Sequence, residues 1–202
     1  MNQGTPEWFA ARCGKVTASR LGDVLAKIKS GEAAVRRNYR AQLISEQLTG
    51  VPAESFSSAA MQWGKDTEPQ ARAAYEAVSG NIVMEVGFIP HQHLMTGASP
   101  DGLIEDDGGI EIKCPNTATH IDTLLKGMSP EHLPQIQGAM WITGRQWWHF
   151  VSFDPRLPER LQLYVQRVER DQAYIDSLEK EVDLFLGEID QVRQKLEEKI
   201  AA

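Results

Sequence analysis

Residues 99–113 read SPDGLIEDDGGIEIK, and this stretch decides the fold. From Ile110 to Lys113 apolar and charged residues alternate, which is typical of a half-buried β-strand, so Glu111 and Lys113 are expected on one face. Asp101 stands at a turn, with nine residues between it and Glu111. The pattern therefore predicts two carboxylates and one ammonium close together at a strand.

The spacing leaves two interpretations of this stretch open. Asp101 and Glu111 offer oxygen ligands of the kind that hard divalent cations such as Mg²⁺ prefer. Lys113 cannot be a ligand, and would instead orient or deprotonate an attacking water and offset charge on an attacked phosphate. In the other interpretation the stretch is an exposed hairpin with residues 106–109 as its turn and a solvated strand face.

The composition is ordinary for a globular protein, with 202 residues, 42% hydrophobic and 24% charged. The sequence has no apolar run of membrane-spanning length and no basic-then-apolar start, so we expect a cytoplasmic protein of a bacterium or a phage-infected host cell. Cys13 and Cys114 are too few for an iron–sulfur cluster held only by this chain's thiolates. Cys114 is expected to be a small buried apolar residue.

The net charge of -7 is unevenly distributed. Residues 1–50 carry eight Lys or Arg against four Asp or Glu, whereas residues 169–202 carry ten acids and five bases. We expect the basic part to meet phosphate while the acidic tail stays away from it. The basic cluster at residues 27–40 is either a mobile basic loop where a phosphate-bearing partner enters or a solvated helix face.

The periodicity and the turn residues predict one α/β domain over residues 1–202 with a mostly consecutive central sheet. Helices are predicted at residues 17–26, 32–49, 58–79, 117–126 and 130–143, and strands at residues 82–90, 94–98, 102–105, 109–114, 146–153 and 161–168.

Residues 171–202 form a predicted amphipathic C-terminal helix of a different kind. Apolar residues recur at alternating spacings of three and four: Ile175, Leu178, Val182, Phe185, Ile189, Val192 and Leu196. The stripe fits either a helix that packs on its own domain or a coiled-coil contact between subunits.

Six motifs in a fixed order give the chain a resemblance to a known family. They are Ala11-Arg12-Cys13-Gly14, Thr17-Ala18-Ser19, Gln62-Trp63-Gly64-Lys65 with Glu68, Ser99-Pro100-Asp101-Gly102, Glu111-Ile112-Lys113-Cys114-Pro115 and Gln135-Ile136-Gln137-Gly138-Ala139-Met140-Trp141. The chain thereby resembles the lambda exonuclease branch of the YqaJ viral recombinase family, within the PD-(D/E)XK nuclease superfamily. The resemblance implies a restriction-endonuclease-like α/β fold, in which helices flank a central mixed sheet.

The resemblance also implies an activity, a cofactor and partners. Family members digest one strand of duplex DNA processively from a 5′ end, release mononucleotides, and leave a 3′ overhang for a single-strand annealing protein in recombination. They use Mg²⁺, which Mn²⁺ can replace, with two ions expected in each active site. They form a homotrimeric ring around DNA.

The site residues follow from the matched motifs. By resemblance, Asp101, Glu111 and the backbone carbonyl of Ile112 would hold the metal, and Glu68 would complete a second site or position water. Lys113 would activate the attacking water, and Gln135 would help to hold the active-site strand and that water.

Three further residues match the family's pocket for the 5′-phosphate, namely Arg12, Ser19 and Ser99. A guanidinium makes bidentate contacts to phosphate oxygens, and hydroxyls add neutral donors. Alternatively, Ser19 only caps a helix and Ser99 only begins the turn before Pro100.

Two other functions remain open on the sequence. One is a PD-(D/E)XK endonuclease, and the other is a non-enzymatic DNA-end-binding scaffold that assembles through its C-terminal helix. The chain also departs from the family at His132, where relatives usually carry a tyrosine, which leaves the role of that side chain undefined.

Overall fold

The computed structural model describes residues 2–53 and 58–201. The helices are α1 (Pro6–Arg12), α2 (Leu21–Val24), α3 (Ala34–Thr49), α4 (Ala59–Ser79), α5 (Thr117–Lys126), α6 (Leu133–Thr143) and α7 (Gln172–Ala201). The strands are β1 (Val16–Thr17), β2 (Val83–Met84), β3 (Ile89–Pro90), β4 (Thr96–Ala98), β5 (Gly102–Ile104), β6 (Gly108–Lys113), β7 (Trp147–Phe153) and β8 (Leu163–Glu169).

Five strands form a mixed sheet in the order β2-β5-β6-β7-β8. Strands β6 and β7 are parallel, with Gly108 opposite Trp147 and Lys113 opposite Ser152, and the other neighbours are antiparallel. A parallel pair needs a long crossover, which α5 and α6 supply. The predicted mixed sheet flanked by helices and followed by a long C-terminal helix is thus confirmed.

Strand β6 is more deeply buried than its alternating sequence predicted. Gly108–Ile112 are all buried, and only Lys113 is partly exposed. The hairpin between β5 and β6 exists, but it does not present a solvated face. The exposed-hairpin interpretation is therefore wrong for the strand that carries Glu111.

The two glycines of the predicted turn lie inside β6. A Cβ atom on Gly108 would stand 2.1 Å from the Trp147 ring, and one on Gly109 would stand 2.3 Å from the Trp148 ring. Glycine is required at both positions because indole rings of the neighbouring strand occupy that space. The turn is formed by residues 105–107 instead, with Glu105 at φ 48°.

Two predicted elements differ from the structure. The strand predicted at 82–90 is divided between two sheets, since β2 pairs with β5 whereas β3 pairs with β4. Gly87 interrupts its alternation and Pro90 lacks an N–H for a ladder. The helix predicted at 17–26 begins instead as β1, in which Val16 and Thr17 pair with β4, and the Thr17 N–H donates to the Tyr39 hydroxyl at 3.0 Å.

The predicted ends of the longer helices are confirmed by their caps. The Ser58 side chain accepts the Met61 N–H at the start of α4. Gly50, Gly80 and Gly144 end α3, α4 and α6 with left-handed backbone, which glycine adopts at little cost. These caps fix the length of α4, whose middle turn carries Glu68.

The apolar stripe of α7 divides into two parts. Its first five members, from Ile175 to Ile189, are buried in the same core cluster as residues of α2, α3 and α6. Val192 and Leu196 are 37% and 38% exposed. The first part of α7 thus packs on its own chain, as one of the two alternatives expected.

Candidate functional site

One cavity of about 480 Å³ opens beside β6 and brings the predicted site residues together. It lies between the N-terminal segment, α4, the ends of β4 and β6, and the start of α6. All the residues predicted for metal, catalysis and phosphate line it: Arg12, Ser19, Glu68, Ser99, Asp101, Glu111, Ile112, Lys113 and Gln135.

Asp101 precedes β5 and is tied to the middle of β6. Its Oδ2 accepts the Ile112 backbone N–H at 2.6 Å, so the carboxylate lies beside the segment that carries Glu111 and Lys113. Burial raises the pKa of Asp101 well above its usual value, and the carboxylates of Glu111 and Glu68 raise it further. Asp101 is therefore a partly buried acid in a negatively charged surrounding.

Glu111 is held by two side chains in the cavity. Its Oε1 accepts from Lys113 Nζ and from Gln135 Nε2, each at 2.6 Å, and Lys113 Nζ lies 3.3 Å from Gln135 Oε1. Burial lowers the pKa of Lys113, but the charges of Glu111 and Asp101 outweigh it and the pKa is raised. Lys113 is thus an ammonium that Gln135 and Glu111 fix in one position.

Glu68 reaches the same cavity from α4. Burial raises its pKa, and the nearby Arg72, whose Nη2 donates to Glu68 Oε1 at 2.6 Å, opposes that rise. The charge of Glu111 acts in the same direction as burial. We call Glu68, Asp101 and Glu111 with Lys113 the carboxylate cluster.

The donor atoms of this cluster fit a hard divalent cation. Glu111 Oε1 and Asp101 Oδ2 accept protein hydrogen bonds, which leaves the second oxygen of each carboxylate open within the described part of the chain. All the side-chain donors are oxygens, and a cation would relieve the repulsion that raises the pKa values. In residues 2–53 and 58–201, no three or more His, Cys, Asp or Glu side chains are placed so that they could hold a metal ion by themselves. Any metal here would therefore rely on the carboxylate pair with backbone, water or substrate oxygens.

The second half of the cavity carries Arg12 and Ser99, together with Trp8. Arg12 Nη1 lies 3.4 Å from Ser99 Oγ, and its guanidinium stacks over the Trp8 ring at 3.9 Å. Trp8 Nε1 donates to Ser99 Oγ at 2.9 Å. Because two donors point at the lone pairs of Ser99 Oγ, its own hydroxyl hydrogen is free to be donated to an anion.

Sequence reasoning missed Trp8. The signal that was available is its position four residues before Arg12, since residues at that spacing share one face if the segment is helical, but no helix was predicted there. Trp8 and Arg12 do lie at the two ends of one helical turn in α1.

Ser19 lies in the short 3₁₀ turn Ala18–Arg20 rather than at a helix cap. Its Oγ is 3.3 Å from Thr17 Oγ1, and Thr17 makes no side-chain capping bond. The capping interpretation of Ser19 is therefore wrong in this structure. Its hydroxyl lines the cavity beside Arg12.

The two glutamines of the Gln-x-Gln segment have different surroundings. Gln135 contacts Glu111, whereas Gln137 is buried and bonded to the backbone, donating to Glu169 O at 2.9 Å and accepting from Asp171 N at 3.0 Å. Gln137 thus fastens the start of α7 to α6.

His132 lies at the rim of the cavity. Its ring stacks on Phe150 at 5.0 Å, and burial, assisted by the charge of Lys113, lowers its pKa. Position 132, where relatives usually carry a tyrosine, is thus filled by a neutral aromatic ring.

Cys114, next to Lys113, is a thiol whose pKa is raised by burial to about 12, which agrees with its expected apolar character.

The structure places part of the basic 27–40 segment against the acidic C-terminal helix, a contact that counting charges along the sequence did not predict. Arg36 and Arg40 face Glu188 of α7. Arg36 makes a bidentate contact with Glu188 at 2.8 Å, and Arg40 Nη1 lies 2.7 Å from the same carboxylate. Both also contact Glu32. We call these four residues the helix-bridging network.

Comparison with known proteins gives consistent matches. Residues 7–146 match the model of the YqaJ-like viral recombinase domain. Two crystal structures of LHK-Exo, an alkaline exonuclease from Laribacter hongkongensis, are 52% and 51% identical to the chain, with a TM-score of 0.91. Each alignment covers 98% of both chains, and one of these crystals contains dAMP.

There is one more distant match in structure, which agrees on the fold, and one in sequence. A phage-related exonuclease from Haemophilus somnus 129PT is 17% identical, with a TM-score of 0.73 over 90% of this chain and 96% of that one. The uncharacterized protein ExoD of Escherichia coli K12 is 32% identical over 60 residues, which are 30% of this chain and 68% of ExoD. Separately, none of the helices in the described part of the chain has the length and apolarity needed to cross a bilayer.

Proposed function

Because the chain belongs to the family of YqaJ-like viral recombinase domains, we propose that it is a metal-dependent exonuclease that digests double-stranded DNA from a 5′ end. The observation that carries the proposal is the single cavity that joins the carboxylate cluster to Arg12, Ser19 and Ser99. One end of this cavity suits a cation and the other end suits an anion.

The carboxylate cluster would hold Mg²⁺, or Mn²⁺ in its place. Asp101, Glu111 and the Ile112 carbonyl would be its ligands, and Glu68 would hold a second ion or position water. When bound, the metal would lower the pKa of a water and place positive charge beside the scissile phosphate. The oxygen-only donor set supports this choice.

Lys113 and Gln135 would act on the attacking water. The raised pKa of Lys113 means that the side chain keeps its proton and its positive charge in the metal-free cavity. A bound cation would weaken the hold of Glu111 and Asp101 on the ammonium proton, which favours release of that proton. Gln135 would hold the Lys113 and Glu111 side chains in fixed relative positions, because it bonds to both.

Arg12, Ser19 and Ser99 would bind the 5′-terminal phosphate and so set direction. Arg12 is partly buried, and its desolvation lowers its pKa. No ion pair joins it to a carboxylate among the described residues, and a guanidinium with free donors is a strong site for a phosphate oxygen. Anchoring of the new terminal phosphate after each cut would pull the strand inward and make digestion processive.

The products and partners complete the proposal. Release of 5′-mononucleotides is supported by LHK-Exo, which was crystallised with dAMP. The 3′ overhang would be passed to a single-strand annealing protein, and the active form would be a homotrimeric ring; family membership supports both. The exposed apolar residues Val192 and Leu196 near the end of α7 are available for contacts between subunits.

The proposal is tested with linear duplex DNA labelled at each end in turn, with and without Mg²⁺. The expected result is metal-dependent loss of the 5′ label as mononucleotides, with the 3′ label retained on a single strand. Loss of the 3′ label first would contradict the polarity. Cleavage of covalently closed circular duplex would instead indicate an endonuclease, and end binding without any cleavage would indicate a scaffold.

A further inference from the structure

Arg72 lies one helical turn after Glu68 on α4 and joins two acids. Its Nη2 donates to Glu68 Oε1 at 2.6 Å, and its Nη1 forms an ion pair with Glu85, which directly follows β2. Glu68 lines the cavity beside β6, which we call the main cavity. The Arg72 guanidinium therefore links Glu68 to the neighbouring edge of the sheet.

This contact differs from an ordinary ion pair on a helix surface. The Asp122–Lys126 pair has the same spacing and the same 2.6 Å distance, but its side chains are 61% and 72% exposed. The Arg72 side chain is only 13% exposed. Its Nε is buried and has no hydrogen-bond partner among the described residues. An unpaired buried donor lowers stability, so Arg72 occupies this place despite a cost.

Glu68 has both a reason and the room to turn away from the main cavity. Asp101 and Glu111 line that cavity with like charge. A second cavity of about 750 Å³, lined by Glu68, Arg72 and Glu85 and also by Asp101, shares Glu68 with the main cavity. Glu111 lines only the main cavity. A glutamate side chain has three rotatable bonds, so repulsion from Glu111 would favour rotamers that lie farther from it.

We propose that Arg72 is a positioning residue that holds the Glu68 carboxylate at the main cavity, with Oε1 engaged and Oε2 open to a ligand. Glu85 fixes the guanidinium from its far side. The inference rests on the proposed function, in which Glu68 holds a second ion or positions water. In that setting Arg72 acts on the reaction only through Glu68.

The test compares Arg72→Met, which keeps the stem without the charge, with Arg72→Lys, which keeps the charge. Partners behind metal ligands typically contribute about 10- to 100-fold in affinity or activity. Arg72→Met should therefore lower kcat on 5′-phosphorylated duplex by about 10- to 100-fold with little change in KM, and Arg72→Lys should recover most of that loss. Calorimetric titration of the DNA-free protein with Mn²⁺ should show weaker binding in Arg72→Met, partly restored in Arg72→Lys.

A double-mutant cycle separates positioning from a general loss of structure. In a Glu68→Gln background, Arg72→Met should have almost no further effect on kcat or on Mn²⁺ binding, because the residue through which it acts is gone. Lys126→Met, which removes the matched ion pair on α5, should leave both quantities unchanged. If Arg72→Met does not fold, the same double-mutant cycle with Glu68→Gln is measured with Arg72→Lys and with Glu85→Gln.

The outcomes distinguish failure of this inference from failure of the proposed function. Equal losses in Arg72→Met and Arg72→Lys, or independent losses in the cycle, would overturn the positioning role. Full activity and Mn²⁺ binding in Arg72→Met, with Glu68→Gln inactive, would overturn it as well. Full activity of Glu68→Gln would instead remove the role assigned to Glu68, and no digestion by the unmodified protein would remove the proposed function itself.

Discussion

The helix-bridging network and the carboxylate cluster are both built from carboxylates and cations, yet their electrostatics are opposite. In the network the guanidinium groups of Arg36 and Arg40 face the carboxylates of Glu32 and Glu188. Hydrogen bonds from Arg40 lower the pKa of Glu32, and hydrogen bonds from Arg36 lower that of Glu188. For each of these acids, ionisation is more favourable in the folded protein than in water.

The carboxylate cluster has the reverse sign. Burial and neighbouring carboxylates raise the pKa of Asp101 and of Glu68, although Lys113 lies among them. Three carboxylates there exceed the positive charge that Lys113 supplies. The network pairs its charges without a ligand, whereas under the proposed function the cluster would gain stability from an added cation. The sign of the shifts thus distinguishes the paired network from the cluster that we propose as a binding site.

The largest effect that we expect from a change in either region is on the rate of DNA cleavage, and it comes from the carboxylate cluster. Lys113→Ala should lower the rate on linear duplex by about 10²- to 10⁴-fold, because it removes the group that handles the proton of the attacking water. Duplex binding in the absence of metal, followed by fluorescence anisotropy, should survive. Cleavage at the normal rate would remove Lys113 from the mechanism and leave the cluster without a proton carrier.

The next effect concerns direction. Arg12→Ala should slow digestion of 5′-phosphorylated ends by about 10- to 100-fold, as expected for loss of a charge-assisted contact. Ends with a 5′-hydroxyl should be affected much less, and processive runs should shorten. Phe9→Leu, a change of an aromatic residue on the same helix, is the matched control. A constant ratio of rates on the two kinds of end, before and after Arg12→Ala, would contradict the phosphate assignment.

The sequence predicted the carboxylate cluster better than the helix-bridging network. Asp101, Glu111 and Lys113 are close in sequence and lie on one hairpin, so strand periodicity alone places two of them on one face. Glu68 and Gln135 were accessible only through the resemblance, because α4 and α6 reach the cavity by tertiary packing. Local spacing contains no information on such contacts.

The network was not predicted because its partners are far apart in the chain. Arg36 and Glu188 are separated by 152 residues, and counting charges along the sequence does not show which residues pair. Similarly, the division of residues 82–90 between two sheets depends on which neighbours β2 and β3 find. Trp8 was missed for a different reason, since its contact with Ser99 joins the first helix to a loop 91 residues away.

A smaller effect tests the network by itself. Glu188→Gln should lower the free energy of unfolding by about 0.5–1 kcal/mol, because it weakens contacts to two arginines at a partly exposed position. The loss should shrink at high salt, as expected for charges near the surface. Exonuclease rates should not change. A large drop in rate with little change in stability would place α7 in the reaction and remove the contrast between the two regions.

The smallest expected effect is a gain in the free energy of unfolding, measured in metal-free buffer. Asp101→Asn should raise the free energy of unfolding at neutral pH by about 0.5 kcal/mol, a typical gain when a strained functional group is replaced. The folded-state pKa of Asp101 is raised above its unfolded value, so the wild-type protein is more stable at low pH and loses that stability as pH rises through the folded pKa. The advantage of Asp101→Asn should therefore vanish near pH 4 and grow toward neutrality.

The effect of Glu188→Gln also fades at low pH, because the lowered pKa of Glu188 contributes stability only above the unfolded value. At neutral pH the two variants should thus differ from the wild type in opposite directions by chemical denaturation. If both destabilise the fold there, Asp101 is a structural acid like Glu188, and the carboxylate cluster does not store the repulsion that a bound cation would relieve.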